Sequence, residues 1–192
     1  IKEKNASTKI TIIEKDLCGS GASGRNGGCM IPLSSKFTAM KKIVGTKDAI
    51  KMVKASEEAL NEINKFCDVN DLDAKIRING IVYSATNNKH RGGFDDLLRD
   101  LNDNNLNSWE RLSKEKIQKL TGSNRNIDGY FSPIGGSLQP ALLARGLKRI
   151  AEKKGIKIFE HSAMSSYDYN TMITVHTAHG SVKCKKLVLA IN

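Results

Sequence analysis

One carboxylate and a run of glycines stand out for the chemistry they could do. Glu14 closes a β-branched run, Ile10, Thr11, Ile12 and Ile13, whose residue types suit a buried strand. An acid at the end of a parallel strand can accept both hydroxyls of a ribose. A loop then carries Gly19, Gly21, Gly24, Gly27 and Gly28, with Ser20, Ser23, Arg25 and Asn26 between them. Glycines at that density let the backbone take positive φ and bring its N–H groups up to a ligand. Ser23 and Arg25 could hydrogen-bond a pyrophosphate, the guanidinium through the stronger, charge-assisted contact. A Gly/Ser/Asn-rich stretch is often only a loop. Here strand, terminal acid and glycines come in one fixed order, which favours a dinucleotide.

The elements that must position these groups read as follows. Residues 1–8 form a frayed helix end and a polar turn. In a doubly wound fold, a strand and its G-x-G-x-x-G turn come about 20 residues before such an acid. Only 13 residues precede Glu14, and none is glycine. The expectation is therefore a Rossmann-like half without its first strand, in a chain truncated at its N-terminus. Residues 30–45 read as irregular, Thr46 as an N-cap, and residues 47–67 as a long amphipathic helix. Its stripe is Ile50, Val53, Leu60, Ile63 and Phe66 or Cys67. Asn79-Gly80 between residues 75–78 and 81–84 reads as a hairpin turn, with Arg77 facing away from Ile76 and Ile78. A helix is expected over 91–101, broken by 102–107, and one or two short helices over 109–120, with Trp109 as a packing anchor.

Tyr130 and Phe131 suggest a strand and Gly135-Gly136 a turn. Pro140 opens a helix that stops at Gly155, with Leu142, Leu143, Gly146, Leu147, Ile150 and Ala151 as its buried face. A strand follows over 156–160, then a hairpin turned at His179-Gly180, between 172–177 and 181–184. Residues 186–191 (KLVLAI) read as a buried, parallel-type strand. His90 is expected in solvent; His176 and His179 read as structural, and no motif makes any histidine catalytic.

The 192 residues are enough for one domain or one and a half. With 39% hydrophobic content, no apolar run approaches the roughly 18 residues of a membrane span, and no secretory leader opens the chain. Cys18, Cys29, Cys67 and Cys184 show no C-x-x-C or Cys/His spacing, which points to free thiols, no metal and a cytoplasmic protein. The net charge of +11 raises nucleic acid as a partner. The lysines are spread over nearly every segment, however, and only 5% of residues are aromatic, so neither a stacking platform nor a basic recognition face is visible.

ITIIEKD followed by GSGASGRNGG resembles the second strand and flavin loop of FAD-dependent amine and amino-acid oxidoreductases. These form the D-amino-acid oxidase superfamily, and the likeness is to its γ-glutamylputrescine oxidase-like branch. The resemblance implies that Glu14, with Lys15 beside it, holds the adenosine ribose. Ala22, Ser23, Arg25, Asn26, Gly27 and Gly28 would line the pyrophosphate and flavin ring. The helix opened by Pro140 and the following Glu160-His-Ser162-Ala-Met164 resemble the family's return leg, in which the backbone at Met164 reads adenine. His161 would be peripheral to that site. Ala190, in the terminal Ala190-Ile191-Asn192, would lie at the strand end beside the dinucleotide.

The fold implied is α/β with an α+β insertion. Residues 1–45 and 137–192 would be two parts of the FAD-binding domain, and 46–136 part of a substrate domain. A complete member would be about twice this length, acting on a small amine or amino acid, without nucleic acid or membrane. No residue presents itself as a catalytic base. Three alternatives stay open: another Rossmann-like dinucleotide enzyme, a basic nucleic-acid-binding module, or an inactive remnant.

Overall fold

The computed structural model describes residues 1–2, 4–106 and 108–191. In chain order the elements are β1 (Thr11–Ile13), α1 (Ala22–Arg25), β2 (Cys29–Met30), α2 (Phe37–Val44), α3 (Thr46–Val69) and β3 (Ile81–Ala85). Next come α4 (Asp95–Asn102), β4 (Glu110–Leu112), α5 (Lys114–Thr121), β5 (Asp128–Ser132) and β6 (Gly136–Ser137). The chain ends through α6 (Pro140–Lys153), β7 (Lys157–Phe159), β8 (Met164–Tyr169), β9 (Ile173–Thr177) and β10 (Gly180–Cys184). Two compact units divide it, one of Ile1–Gly27 with Pro140–Asn192 and one of Gly28–Gln139. Residues 28–45, expected with the first segment, therefore pack in the second unit.

The first unit is built on a parallel pair. β1 lies beside β7 in the register Thr11↔Lys157, Ile12↔Ile158, Ile13↔Phe159. Ile12 and Phe159 keep 40% and 48% of their surface exposed, so this strand is not the buried one its residue types suggest. α6 packs against α1 and β7. It begins at Pro140 and is followed by Gly155 at φ 74, as the Pro/Gly punctuation predicts. Of its expected apolar face only Gly146 is fully buried, and Leu147 is 44% exposed. β8, β9 and β10 form an antiparallel meander whose second turn is the expected His179-Gly180, with Val175 buried at its centre. β8 itself is not foreseen from sequence.

Residues 186–191 are not a strand. Val188 and Ile191 are exposed. An apolar run becomes a strand only where a partner meets its N–H and C=O groups, and none of the described residues does so.

The second unit owns the larger core, made of Phe37, Ala49, Val53, Leu97, Leu101, Leu106, Trp109 and Tyr130. α2, read from sequence as irregular, exists because Phe37 is buried completely against α3. The cap of α3 is Gly45 at φ 79, and Thr46 is already helical. Trp109 is the packing anchor expected of it: its indole Nε1 donates to the fully buried Ser34 Oγ at 3.0 Å. It precedes β4, however, where a helix was expected, because residues 110–112 find a ladder on β5. The helix expected from Arg91 starts only at Asp95, since Asn87 caps a separate 3-10 turn at Asn88–His90. His90 is exposed, as expected. Asn107, in the predicted break, lies outside the described residues.

The Asn79-Gly80 hairpin does not form. β3 pairs with β5, and Arg77 instead bridges to Ser137, exchanging backbone hydrogen bonds of 2.8 and 2.9 Å. Gly80, at φ 89, donates its N–H to Gly135 O at 3.1 Å. The turn signal is real, but a pairing more than fifty residues away outcompetes the local one.

Candidate functional site

Glu14 leaves β1 at its carboxyl end, and the same end of β7 leads through Glu160 to Met164. Ligands of open parallel sheets bind at such ends. Backbone hydrogen bonds clamp the two exits together: Glu14 N to Phe159 O at 2.9 Å, Ser162 N to Glu14 O at 2.8 Å and His161 N to Asp16 O at 2.9 Å. His161 takes a left-handed φ of 52 at this junction. The Glu14 carboxylate is turned by the chain itself, with Oε1 accepting from Asp16 N at 3.0 Å. Lys15 beside it is exposed.

The glycine segment is not wholly a loop, because Ala22–Arg25 wind into one helical turn. Gly24 makes this possible. It donates to Gly21 O at 3.1 Å, and a Cβ there would lie 1.9 Å from Gly19 O. Gly19, at φ 88, sits so close to α6 that a Cβ would come within 2.7 Å of Ala144 Cβ. Asn26 closes the turn, its Nδ2 donating to Ala22 O at 3.0 Å and Ser23 O at 3.2 Å; carbonyls at a helix end need such partners. Ala22, Ser23, Arg25 and Gly27 face solvent.

The structure thus brings Glu14, Lys15, the 22–27 turn and the strand leading to Met164 into the first unit. Gly28 belongs to the second, where it is buried at φ 68 and its carbonyl accepts from Leu138 N at 2.9 Å. Met164 opens β8, half-buried, opposite Thr177. Ala190 is exposed and outside any strand, and Asn192 lies outside the described residues.

Behind this turn lies a three-part contact that no sequence motif announces. Glu160 Oε1 accepts the backbone N–H of Cys18 at 2.8 Å, while Oε2 accepts from Lys148 Nζ of α6, also at 2.8 Å. The Lys148 hydrogen bond, followed by the Cys18 N–H, holds the Glu160 carboxyl below its ordinary value, and Glu160 in turn raises the lysine. Burial, then the Glu160 charge, pushes the Cys18 thiol up, away from reactivity. The only hint in the sequence is the acid at the end of a strand, the feature that draws attention to Glu14.

The family model described as FAD dependent oxidoreductase (DAO) matches residues 3–192. The chain belongs to this family. It is 25% identical over 184 residues to gamma-glutamylputrescine oxidoreductase of Escherichia coli (strain K12), covering 95% of this chain and 43% of that protein. It is 26% identical over 190 residues to the probable oxidoreductase OrdL of Haemophilus influenzae, covering 96% and 43%. The chain therefore spans less than half the length of these curated relatives. Among solved structures, glycine oxidase from Geobacillus kaustophilus superposes with a TM-score of 0.71 at 18% identity, over 96% of this chain and 49% of that one. That likeness establishes the fold, a partial α/β domain of the FAD-dependent oxidase type.

FAD, the cofactor implied by the sequence, is the cofactor of the family. The residues present suit it: an acid at a parallel strand end, a glycine-bent backbone with open space above Gly21, and an exposed Ser/Arg pair. No helix among the described residues is long and apolar enough to cross a membrane. No group of three His, Cys, Asp or Glu among them could hold a metal.

Proposed function

We propose that the protein of which this chain is part is a FAD-dependent oxidoreductase acting on the C–N bond of a small amine or amino acid. The names of its relatives, a gamma-glutamylputrescine oxidoreductase and a glycine oxidase, support that substrate class. When bound, FAD supplies the acceptor for a hydride from the carbon beside the substrate nitrogen, leaving an imine for hydrolysis. The residues of this chain bind and orient. Glu14 takes the ribose hydroxyls with Lys15 alongside, Ser23 and Arg25 take the pyrophosphate, and the backbone over 22–27 approaches the ring end. Met164 offers its backbone to adenine. The first unit is the FAD-binding part and the second belongs to the substrate domain.

The observation that carries this reading is Glu14 at the carboxyl end of a parallel strand, followed by the glycine-dependent turn, in a chain of this family. The full-length protein is expected to show flavin absorption at about 370 and 450 nm and to bleach under anaerobic addition of an oxidisable amine or amino acid. Full-length protein without those bands after incubation with FAD would defeat it. Bands that no amine or amino acid bleaches would defeat the substrate class.

A further inference from the structure

We propose that Glu160 is a positioning residue for FAD: its side chain fixes the loop between Glu14 and the glycine turn at the spacing the cofactor requires. The proposal rests on the reading of residues 14–27 as part of the FAD site. Glu14 and the 22–27 turn would hold different parts of one rigid molecule, so the chain between them must keep one length and direction. That chain is residues 15–21, mostly exposed and without strand or helix. Backbone bonds fix its start, through Asp16 O and His161 N. The close approach of Gly19 to Ala144 fixes its end. Glu160 reaches the middle, accepting Cys18 N–H with one oxygen.

The other oxygen is what turns a hydrogen bond into a brace. Lys148, on α6, holds it at 2.8 Å, and α6 is the same helix against which Gly19 and α1 pack. One carboxylate therefore ties the loop, the end of β7 and the helix behind the turn. The side chains of Glu160 and Lys148 are 20% and 26% exposed, so the pair is screened less than one on the open surface, where an ion pair adds little. A charge-assisted bond to a backbone N–H adds direction as well as energy. Bringing these groups together before the ligand arrives lowers the ordering cost of binding.

The test uses full-length apoprotein titrated with FAD, alongside its melting temperature and hydrogen exchange at the Cys18 amide. Glu160→Ala is expected to weaken FAD about ten-fold and to speed exchange at Cys18, with the apoprotein melting within a degree or so of the parent. Glu160→Gln keeps an acceptor of the same length for Cys18 and should recover most of the affinity. Lys148→Met should fall between the two, and should add little when combined with Glu160→Ala. If Glu160→Ala does not fold, the Glu160→Gln and Lys148→Met pair carries the comparison.

Unchanged FAD affinity in these variants, while Glu14→Ala still weakens binding, would overturn the positioning role and leave the site standing. A loss of melting temperature without a change in affinity would overturn it as well, since it would make the brace purely structural. Full-length protein that takes up no FAD would overturn the site reading and the proposal together.

Discussion

Arg111 grips Asp128 along the edge of its guanidinium, Nε to Oδ1 and Nη2 to Oδ2, each at 3.0 Å. The Asp128 side chain is only 6% exposed, the Arg111 side chain 43%. Gly92 N–H adds a third bond to the carboxylate at 2.8 Å, so the pair ties β4, β5 and the segment before α4. Breaking a buried pair costs about 3–5 kcal/mol; with the arginine half in solvent, Arg111→Met is expected to cost about 2 kcal/mol. Burial alone would raise the Asp128 carboxyl, but the Arg111 hydrogen bonds and charge and the Gly92 N–H hold it below its ordinary 3.8. Its contribution is therefore complete above that value and is lost as pH falls below it. In the variant burial is opposed only by backbone N–H groups such as that of Gly92, so the stability the parent loses in acid is already missing at neutral pH and the two proteins converge as pH falls. Urea midpoints between about pH 3 and pH 7 would show the two curves separate; coincident curves would refute the pairing.

Tyr130 titrates at the other end of the scale. Burial, then its hydrogen bond to Asp95 Oδ1 at 2.7 Å, pushes the phenol from 10.0 up to about 12. A raised value means the folded state keeps the proton longer. The stabilisation is whole below 10.0 and is lost as pH climbs toward 12. Tyr130→Phe should lose about 1 kcal/mol at neutral pH and then fall off less steeply in alkali than the parent. Denaturation at about pH 9 and pH 11 measures the difference in slope; parallel slopes would contradict the shift.

Local punctuation carried much of the fold. Pro140 and Gly155 bracket α6, and His179-Gly180 turns β9 into β10, because each is satisfied by residues a few positions away. Asn79-Gly80 misled because Arg77 is answered by Ser137, which no short-range rule can see. Phe37 misled for a related reason: its helix is paid for by burial against α3, while Pro32 and the Ser pair locally favour a turn. At the site, Glu14 and the glycines could be read from type and order. Glu160 could not, because its partner Cys18 is 142 residues away along the chain.

Glu57, on α3, offers a substitution that should strengthen the protein. Its Oε1 is buried and, among the described residues, finds no partner in ordinary hydrogen-bond geometry, although the Ser108 hydroxyl lies beside the carboxylate. Burial lifts the carboxyl above its ordinary 4.5, more than the neighbouring Ser108 and Lys54 draw it down. The folded state therefore loses stability as pH rises through that raised value. Glu57→Gln, which cannot ionise, is expected to gain up to about 1 kcal/mol at neutral pH and much less in acid. Thermal melts at both pH values decide it, and an equal change at both would show that charge is not the cause.

The glycine turn gives the sharpest contrast within one loop. A Cβ on Gly24 would meet Gly19 O at 1.9 Å, whereas a Cβ on Gly21 has nothing within 4 Å. Gly21 also has an ordinary negative φ of −84, so alanine there meets no backbone strain. Gly24→Ala must push apart the two arms of the turn and shift α1, and with it Ser23 and Arg25. Gly21→Ala leaves them where they are. In full-length protein, Gly24→Ala is expected to lose most of its flavin while Gly21→Ala retains it, read as the ratio of flavin to protein absorbance after gel filtration. Equal flavin loss in Gly21→Ala and Gly24→Ala would contradict the contrast drawn from the backbone geometry. Gly24 lets the chain approach itself, a task that Gly21 does not share.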